Sequence, residues 1–452
     1  MPSSLNSATL DYIRTNALAD VRRLALRQPP EGVDVRAALT QIEGRQLAAT
    51  KLPTWTQTEG ILFPPRLALE QCSSEATATY KREVVRRLLW GGAYAPDRQP
   101  TACFADLTAG FGVDFAAIAP LFAQAVYVEH QPLLCDLARH NLPLLGSRHA
   151  KVVCAEAEDV LREPTILPDP ITPFALCFLD PARRDAAGRK VARIEDCTPD
   201  VTALQVLLRQ RAQLILLKLS PMLDLTAAIR SLQGVAEAHV VSVGGECKEL
   251  LLVVQGQGHD SLSTGNGTDI PIHCIDLHTQ HATYSVQHSS EGVSPLSHVV
   301  FTRSEEVSAP YRLAKQLGTY LYEPNASLLK AGAFRLLCQR FAIEKLAPDT
   351  HLYTSQQRVT DFPGRTWHIL GHSTFAKRAL SAFLADTPAA DLTVRGFPTS
   401  VEALRRQLHL RQGGNTHLIA TTLADGTRLL IKAVRIENPH LLASPQGESS
   451  QP

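Results

Sequence analysis

Two glycines and two carboxylates in the first half of the chain have the spacing of a nucleoside-binding site. Asp106 ends a short apolar run, and Gly110 and Gly112 follow it in a turn that precedes an alanine-rich segment. Glycine permits a tight turn and lets a ligand approach the backbone closely. Glu129 ends the next apolar run, 19 residues beyond Gly110, about where an open α/β sheet places a carboxylate on ribose hydroxyls. The pattern predicts strand, glycine turn, helix, strand and acid.

The chemistry of this turn favours a particular class of ligand. It lacks the third glycine of a dinucleotide fingerprint, so a ligand without a pyrophosphate is expected. S-adenosylmethionine (SAM) meets that condition: its methionyl ammonium requires an acid such as Asp106, its carboxylate requires backbone N–H groups, and its ribose requires Glu129. A glycine turn in some other α/β protein is the alternative, because a G-x-G after an apolar run is not specific.

A second polar turn, Asp180-Pro181-Ala182-Arg183, follows the apolar run from Phe174 to Leu179. A continuous apolar run is typical of a strand buried on both faces of a parallel sheet. Ligands bind at the carboxyl ends of such strands, so this turn is expected beside the glycine turn. The basic residues from Arg183 to Arg193 favour phosphate contact or a solvated loop equally.

These motifs resemble those of the class I SAM-dependent methyltransferases. The stretch DLTAGFGVD, from Asp106 to Asp114, is similar to their first motif, and Asp180-Pro181 stands where their fourth motif stands. The resemblance implies that SAM is the cofactor. The residues that it implies for SAM binding are Asp106, Thr108, Gly110, Gly112, Asp114, Glu129 and Glu156, the last through the adenine amino group.

The same resemblance implies an acceptor site. Asp180 and Pro181 would border the methyl acceptor, with Asp180 hydrogen-bonding it or taking a proton, and Arg183 would contact a phosphate or pair with a neighbouring acid. Ala182 and Arg183 replace the proline and the aromatic residue of enzymes that methylate exocyclic amines, which counts against amine methylation. Ser220 stands where uracil carbon-5 methyltransferases have a nucleophilic cysteine, and a hydroxyl is the poorer nucleophile.

Two further positions are ambiguous in the sequence. Lys218 interrupts an apolar strand, so its long side chain either reaches solvent or points into the site. The segment from Gly60 to Lys81 precedes the first strand and is similar to an element that packs beside the methionyl end of SAM in the trimethylguanosine-synthase group. Its polar cluster is equally consistent with a helix cap.

Composition limits the remaining function classes. The length of 452 residues predicts about three domains, and 44% apolar with 20% charged residues is typical of a soluble globular protein. A net charge of +1 argues against a strongly basic surface overall, although it permits local patches. The nine cysteines form no C-x-x-C pair, so we expect reduced thiols, no metal site and a cytoplasmic location. Neither a signal-peptide core nor an apolar run of about 18 residues is present, so no membrane segment is expected.

The predicted fold is α/β: a Rossmann-like class I methyltransferase sheet with a helical N-terminal cap and small α+β C-terminal modules. The C-terminal modules are expected to be ferredoxin-like and THUMP-like, because the order of motifs resembles a bacterial group of methyltransferases with a THUMP-like tail. The predicted boundaries are 1–95 for the helical region, 96–256 for the methyltransferase sheet, 270–385 for the ferredoxin-like module, 390–436 for the THUMP-like domain and 437–452 for a disordered tail.

The sequence therefore predicts a SAM-dependent methyltransferase that acts on RNA, either rRNA or tRNA, with the C-terminal modules binding the RNA. Two alternatives remain open: a methyltransferase for protein or a small molecule, and a SAM-binding or RNA-binding protein without catalysis. No oligomeric state is predicted.

Overall fold

The computed structural model describes residues 5–91, 103–163, 173–182, 193–258, 269–278, 295–414 and 416–436. Two compact units divide the chain. We call them the amino-terminal unit, which is Met1–Gly244, Lys248–Ile270 and Leu277–Pro295, and the carboxyl-terminal unit, which is Gly245–Cys247, Pro271–Asp276 and Leu296–Pro452. The basic loop after Ala182, with Arg183, and the tail predicted at 437–452 lie outside the described residues.

The first part of the amino-terminal unit is helical, as predicted. Several of its helices begin at a side chain that accepts a hydrogen bond from the first turn, namely Asn6, Asp20, Asp34 and Ser74, which is how short polar residues favour helix starts. The helices are α1 (Ser7–Thr15), α2 (Val21–Ala25), α3 (Val35–Lys51), α4 (Pro53–Gln57), α5 (Arg66–Gln71) and α6 (Glu75–Trp90).

These helices pack against the glycine turn. Trp55 and Phe63 are buried and contact Phe111, the residue between the two glycines, with ring centroids 4.6 and 6.3 Å from it. Gly44 on α3 makes this packing possible, because a Cβ there would lie 2.4 Å from the Cβ of Phe63. The helical region therefore stabilises the glycine turn by packing against Phe111.

The sheet of this unit has the strand order β3-β2-β1-β4-β5-β7-β6. Strands β1 to β5 are parallel, and β7 is antiparallel to β5, as the predicted final hairpin requires. The strands are β1 (Cys103–Asp106), β2 (Gln124–Glu129), β3 (Ala150–Cys154), β4 (Phe174–Leu179), β5 (Ala212–Leu219), β6 (Val235–Val243) and β7 (Glu246–Gln255). The connecting helices are α7 (Val113–Ile118), α8 (Pro132–Leu144), α9 (Ala157–Arg162), α10 (Val201–Arg211) and α11 (Leu225–Ser231).

The order of the strands determines where a ligand can bind. From β1 the chain continues outward to β2 and β3 on one side and later returns to β4 and β5 on the other. In open α/β sheets the crevice at such a reversal, outside the carboxyl ends of the strands, is the ligand site. The glycine turn after β1 and the Asp180 turn after β4 both lie at this edge.

The carboxyl-terminal unit begins with the antiparallel pair β8 (Ile272–Leu277) and β9 (Ser297–Phe301), followed by α12 (Arg303–Ser308). A mixed sheet then has the order β11-β12-β10-β13-β16-β15-β14. Its strands are β10 (Tyr320–Pro324), β11 (Glu344–Ala347), β12 (Thr350–Ser355), β13 (Gly364–Thr374), β14 (Asp391–Arg395), β15 (His417–Thr422) and β16 (Arg428–Ile436). Its helices are α13 (Ala326–Ala331), α14 (Arg335–Phe341), α15 (Lys377–Leu384) and α16 (Val401–Gln407).

The two segments predicted as separate C-terminal modules share this sheet. Strand β13 pairs with β10 on one side and with β16 on the other, so the hydrogen-bond ladder continues from one segment to the other. Helices α15 and α16 pack on one face through an apolar cluster that includes Leu380, Phe383 and Leu404. The two segments therefore form a single sheet with a helical layer over one end.

Gly44→Ala should destabilise the amino-terminal unit by about 1–3 kcal/mol, because the added methyl group overpacks a buried contact with Phe63. Urea unfolding followed by tryptophan fluorescence measures this change. Thr50→Ala, at an exposed position of the same helix, is the control. Equal stability of the two variants would contradict the packing argument.

Candidate active site

The turn after β1 is built from two glycines in the left-handed region. Gly110 has φ 55° and Gly112 has φ 90°, values that strain any residue with a Cβ. A Cβ on Gly112 would also lie 3.3 Å from Cε2 of Tyr127. The hydroxyl of Tyr127 donates to the carbonyl of Gly110, so the same side chain fixes the turn and fills the space beneath it.

Backbone hydrogen bonds fasten the turn to the strands on both sides. The N–H of Leu107 donates to the carbonyl of Phe178 on β4 at 2.9 Å, and the N–H of Ala109 donates to that of Val128 on β2 at 3.0 Å. These hydrogen bonds therefore hold the turn at the point where the sheet order reverses.

Asp106 has the environment expected of an acid that meets a cation. It is only 1% exposed, and its Oδ1 accepts from the N–H of Thr108 at 3.1 Å. Its Oδ2 is buried without a hydrogen-bond partner among the described residues. Burial, reinforced by neighbouring carboxylates, holds the pKa of Asp106 well above its usual range despite that N–H. A buried acceptor without a partner is costly, and a methionyl ammonium is a group that would satisfy it.

Glu129 lies at the end of β2 and braces the glycine turn. Its Oε2 accepts from the N–H of Gly110 at 3.0 Å, and its Oε1 accepts from that of Gln131 at 2.9 Å. A carboxylate has about four lone-pair directions, so Glu129 can still accept hydrogen bonds from ribose hydroxyls. Glu156 follows β3 at the start of α9 and is exposed. The structure thus places Asp106, Glu129 and Glu156 at the ends of three adjacent strands.

Thr108 connects this turn to the turn after β4. Its Oγ1 accepts from the backbone N–H of Asp180 at 2.6 Å. Pro181 is buried, and Ala182 pairs with Thr198 in an isolated bridge. The two predicted motifs are therefore in direct contact through a side chain that the sequence assigned to cofactor binding.

A buried set of alternating charges lies behind these turns, and we call it the charge network. Its members are Lys81, Asp114, Lys218, Asp180 and Glu249. Lys81 is fully buried, with its Nζ 2.7 Å from both carboxylate oxygens of Glu249 and 3.1 Å from Oδ1 of Asp114. Lys218 Nζ lies 2.5 Å from Oδ2 of Asp180 and 3.8 Å from Oδ2 of Asp114.

The charges in this network influence one another. Burial alone would raise the pKa of Asp114, but Lys81 and Lys218 together hold it below its usual range. Burial would likewise lower the pKa of Lys218, but Asp180, Asp114 and Glu249 outweigh burial and raise it. Burial raises the pKa of Glu249 in spite of Lys81. The directions for Asp114 and Lys218 keep both groups ionised near neutral pH.

Sequence reasoning missed most of this network. It grouped Asp114 with the cofactor residues, whereas in the structure its carboxylate contacts Ser73 Oγ at 2.6 Å as well as Lys81. It left Lys218 ambiguous, and the structure directs this side chain to Asp180. Lys81 and Glu249 were not singled out. The sequence offered one indication of Glu249. Like Lys218, it is a single charged residue beside an apolar run.

Ser73 and Lys81 also locate the segment upstream of the first strand. They lie before and within α6, and both contact Asp114 on the helix that follows the glycine turn. The polar cluster of this segment includes a helix cap, since Ser74 accepts from the N–H of Thr77. Its neighbour Ser73 contacts the charge network through Asp114, and packing of this segment beside the methionyl end of SAM stays a prediction.

Comparisons with known proteins indicate the family to which the chain belongs. A family model described as a ferredoxin-like domain matches residues 320–363, and one described as THUMP domain-like matches residues 364–433. Curated proteins named uncharacterized S-adenosylmethionine-dependent methyltransferase, from two strains of Mycobacterium tuberculosis, are 26% identical over 333 residues, which is 71% of this chain and 78% of theirs. A crystal structure of a candidate methyltransferase from Porphyromonas gingivalis W83 is 32% identical, covers 95% of this chain and 98% of its own, and superposes with a TM-score of 0.77.

The fold and the site thus define a class I methyltransferase. The chain belongs to the bacterial group of SAM-dependent methyltransferases that carry a C-terminal THUMP-like domain. SAM is its cofactor. None of the helices in the described ranges is long and apolar enough to cross a membrane.

We predict that Asp106 accepts a hydrogen bond from the methionyl ammonium; because it must ionise to do so, SAM should bind more weakly as the pH falls. The free carboxyl has a raised pKa, so below that pKa binding releases a proton and affinity falls by up to about tenfold per pH unit. Isothermal titration with SAM between pH 5.5 and 7 measures this. Asp106→Asn should bind SAM more weakly and with little pH dependence. An unchanged pH dependence in that variant would rule out Asp106 as the group that titrates.

Proposed function

We propose that this methyltransferase acts on RNA, either rRNA or tRNA, and that the C-terminal unit binds the RNA. The observation that carries the proposal is the charge of the segment matched by the two family models. Residues 320–433 contain 14 Lys and Arg against 8 Asp and Glu, a net charge of +6, although the whole chain carries only +1. A basic module attached to a methyltransferase sheet is suited to a polyanionic substrate.

Much of this positive charge is accessible. Arg365 and Arg395 pair with the buried Glu323, so they are partly neutralised. Lys432 pairs with Asp386, whereas several other basic side chains are exposed, and no ion pair is found for them among the described residues. Those on or beside α15 and α16 form what we call the basic helical surface: Lys377, Arg378, Arg406 and Arg411. Both helices pack on the same face of the sheet, so one layer presents these charges.

On the cofactor side, we assign one role to each predicted residue. Asp106 would accept from the methionyl ammonium. The N–H groups of Thr108, Gly110 and Gly112 already donate to Asp106, Glu129 and the carbonyl of Ala109, so these three residues would shape the turn and let SAM approach its backbone closely. Glu129 would accept from the ribose hydroxyls and Glu156 from the adenine amino group. Asp114 would contribute by holding α7, since its carboxylate is occupied by Ser73 and Lys81.

On the acceptor side, bound SAM supplies an electrophilic methyl group. The protein aligns the acceptor with that methyl and excludes water, and orientation of this kind is worth about 7–11 kcal/mol. Asp180 and Pro181 would border the acceptor. The side chain of Asp180 is 34% exposed, so an acceptor can reach it. Arg183 would contact a phosphate or pair with a neighbouring acid.

Incubation with methyl-labelled SAM tests the proposed substrate. The purified protein is added to a whole-cell extract from a strain that lacks it, and the products are divided by ribonuclease and protease treatment. Label should be removed by ribonuclease and should be absent with Asp180→Ala. Label that protease removes, or that appears in small molecules, would contradict the RNA proposal, and no label would indicate a binding protein without turnover.

Charge reversal on the basic helical surface should weaken RNA binding. Replacing Lys377, Arg378, Arg406 and Arg411 with Glu removes four cations, so the slope of log affinity against log salt should fall by about 3. Binding of total cellular RNA is measured at several salt concentrations. The control is Arg22→Glu with Arg23→Glu, two exposed positions on α2. Equal loss in both variants would place RNA binding elsewhere.

A further inference from the structure

The charge network ends at the residue that we place beside the methyl acceptor. Its charges alternate along the path from β7 to β4: Glu249, Lys81, Asp114, Lys218 and Asp180. Exposure changes along the same path. The side chain of Lys81 is fully buried, that of Lys218 is 11% exposed and that of Asp180 is 34% exposed. The carboxylate of Asp180 is therefore the part of the charge network that is accessible from the proposed acceptor site.

Two contacts fix the orientation of Asp180. Its backbone N–H donates to Thr108 Oγ1 at 2.6 Å, and its Oδ2 accepts from Lys218 Nζ at 2.5 Å. With Oδ2 committed to the lysine, Oδ1 is the oxygen left to meet a donor on the substrate. One rotamer of Asp180 is thereby favoured, and it presents a hydrogen-bond acceptor at the carboxyl end of β4.

Charged groups from three elements surround Asp180. Lys218 from β5 is the cation in contact with it, while Asp114 from α7 and Asp106 from β1 are the nearby carboxyls that interact with it or with its partner. The ammonium of Lys218, 2.5 Å from Oδ2, offsets part of the negative charge of the carboxylate, so the pair offers a directed hydrogen-bond acceptor.

We propose that Lys218 is a positioning residue that fixes Asp180 as a hydrogen-bond acceptor for an uncharged N–H group of the methyl acceptor. This inference rests on the proposed assignment of Asp180 to the acceptor site. A protonated amine such as a lysine side chain gains less from a carboxylate that is already paired with a cation than from an unpaired one. An amino nitrogen of a nucleic-acid base is uncharged and carries the required hydrogen.

The reaction that follows is balanced without a strong base. The acceptor nitrogen forms a bond to the methyl carbon, and the bond between that carbon and sulfur breaks with its electron pair remaining on sulfur. The methylated nitrogen is then positively charged and acidic, so its proton passes to water. Asp180 holds the N–H and orients the nitrogen lone pair during transfer. The aromatic residue absent after Pro181 would have stacked on the base, which is a separate contribution from this hydrogen bond.

Lys218→Met and Lys218→Arg separate this role from a structural one. Without the cation, Oδ2 of Asp180 loses the partner that orients the carboxylate, so kcat at neutral pH should fall by about tenfold or more. SAM affinity should fall by less than kcat, because Lys218 reaches the cofactor side only through Asp114, 3.8 Å away. Lys218→Arg should restore most of the lost kcat. An unchanged kcat in Lys218→Met, or loss confined to SAM affinity, would overturn the proposal.

A second measurement is independent of turnover and of the nature of the substrate. Carbon-13 NMR of protein labelled at the aspartate carboxyl, compared with Asp180→Asn, identifies the carboxyl signal of Asp180. Its chemical shift at neutral pH should differ between Lys218→Met and the wild type, because the ammonium 2.5 Å away is lost, and equal values would overturn the proposal even if Lys218→Met has lost activity or stability. If label appears in protein rather than RNA, the RNA proposal fails while this signal still tests Lys218. Identification of a carbon atom or a lysine as the methylated group would overturn the selectivity.

Discussion

A buried ammonium group joins the parts of the amino-terminal unit that form the site. Lys81 on α6 is surrounded by Glu249 from β7 and Asp114 from α7. Removing charges from water costs several kcal/mol per ion, and only close pairing offsets that cost. Any displacement of one element therefore leaves an uncompensated charge on another. This constraint fixes the helical region, the helix after the glycine turn and the final hairpin relative to one another.

The same constraint extends to the proposed acceptor site through short links. Asp114 neighbours Lys218, Lys218 pairs with Asp180, and the backbone N–H of Asp180 donates to Thr108 in the glycine turn. One connected set of contacts thus holds both the glycine turn and the Asp180 turn. Methyl transfer requires three atoms in line, and orientation is the main contribution a protein can make to it. A rigid link between the two turns serves that requirement.

The fold and the glycine turn could be predicted from the sequence because both depend on local patterns. Apolar runs predicted the parallel strands. Gly110 and Gly112 predicted a turn, and their left-handed φ values explain why glycine is needed there. The charge network could not be predicted, since Lys81 and Glu249 are 168 residues apart and each is a single charge near apolar neighbours. The roles of Asp180 and Lys218 depend on a pairing between two strands that the sequence alone does not specify. The shared C-terminal sheet was missed for a similar reason, because β13 pairs with β16 across two intervening strands.

The long separation between Lys81 and Glu249 has a consequence for biosynthesis. A chain emerging from the ribosome contains α6 and the glycine turn well before it contains β7, and domains generally fold as units from the amino terminus. Until β7 has been made, the ammonium of Lys81 has Asp114 as a partner but lacks Glu249, whose two oxygens it contacts in the folded protein, so burying it is less favourable. We therefore expect the segment that precedes the first strand to dock fully only after the last strands of its sheet have been translated.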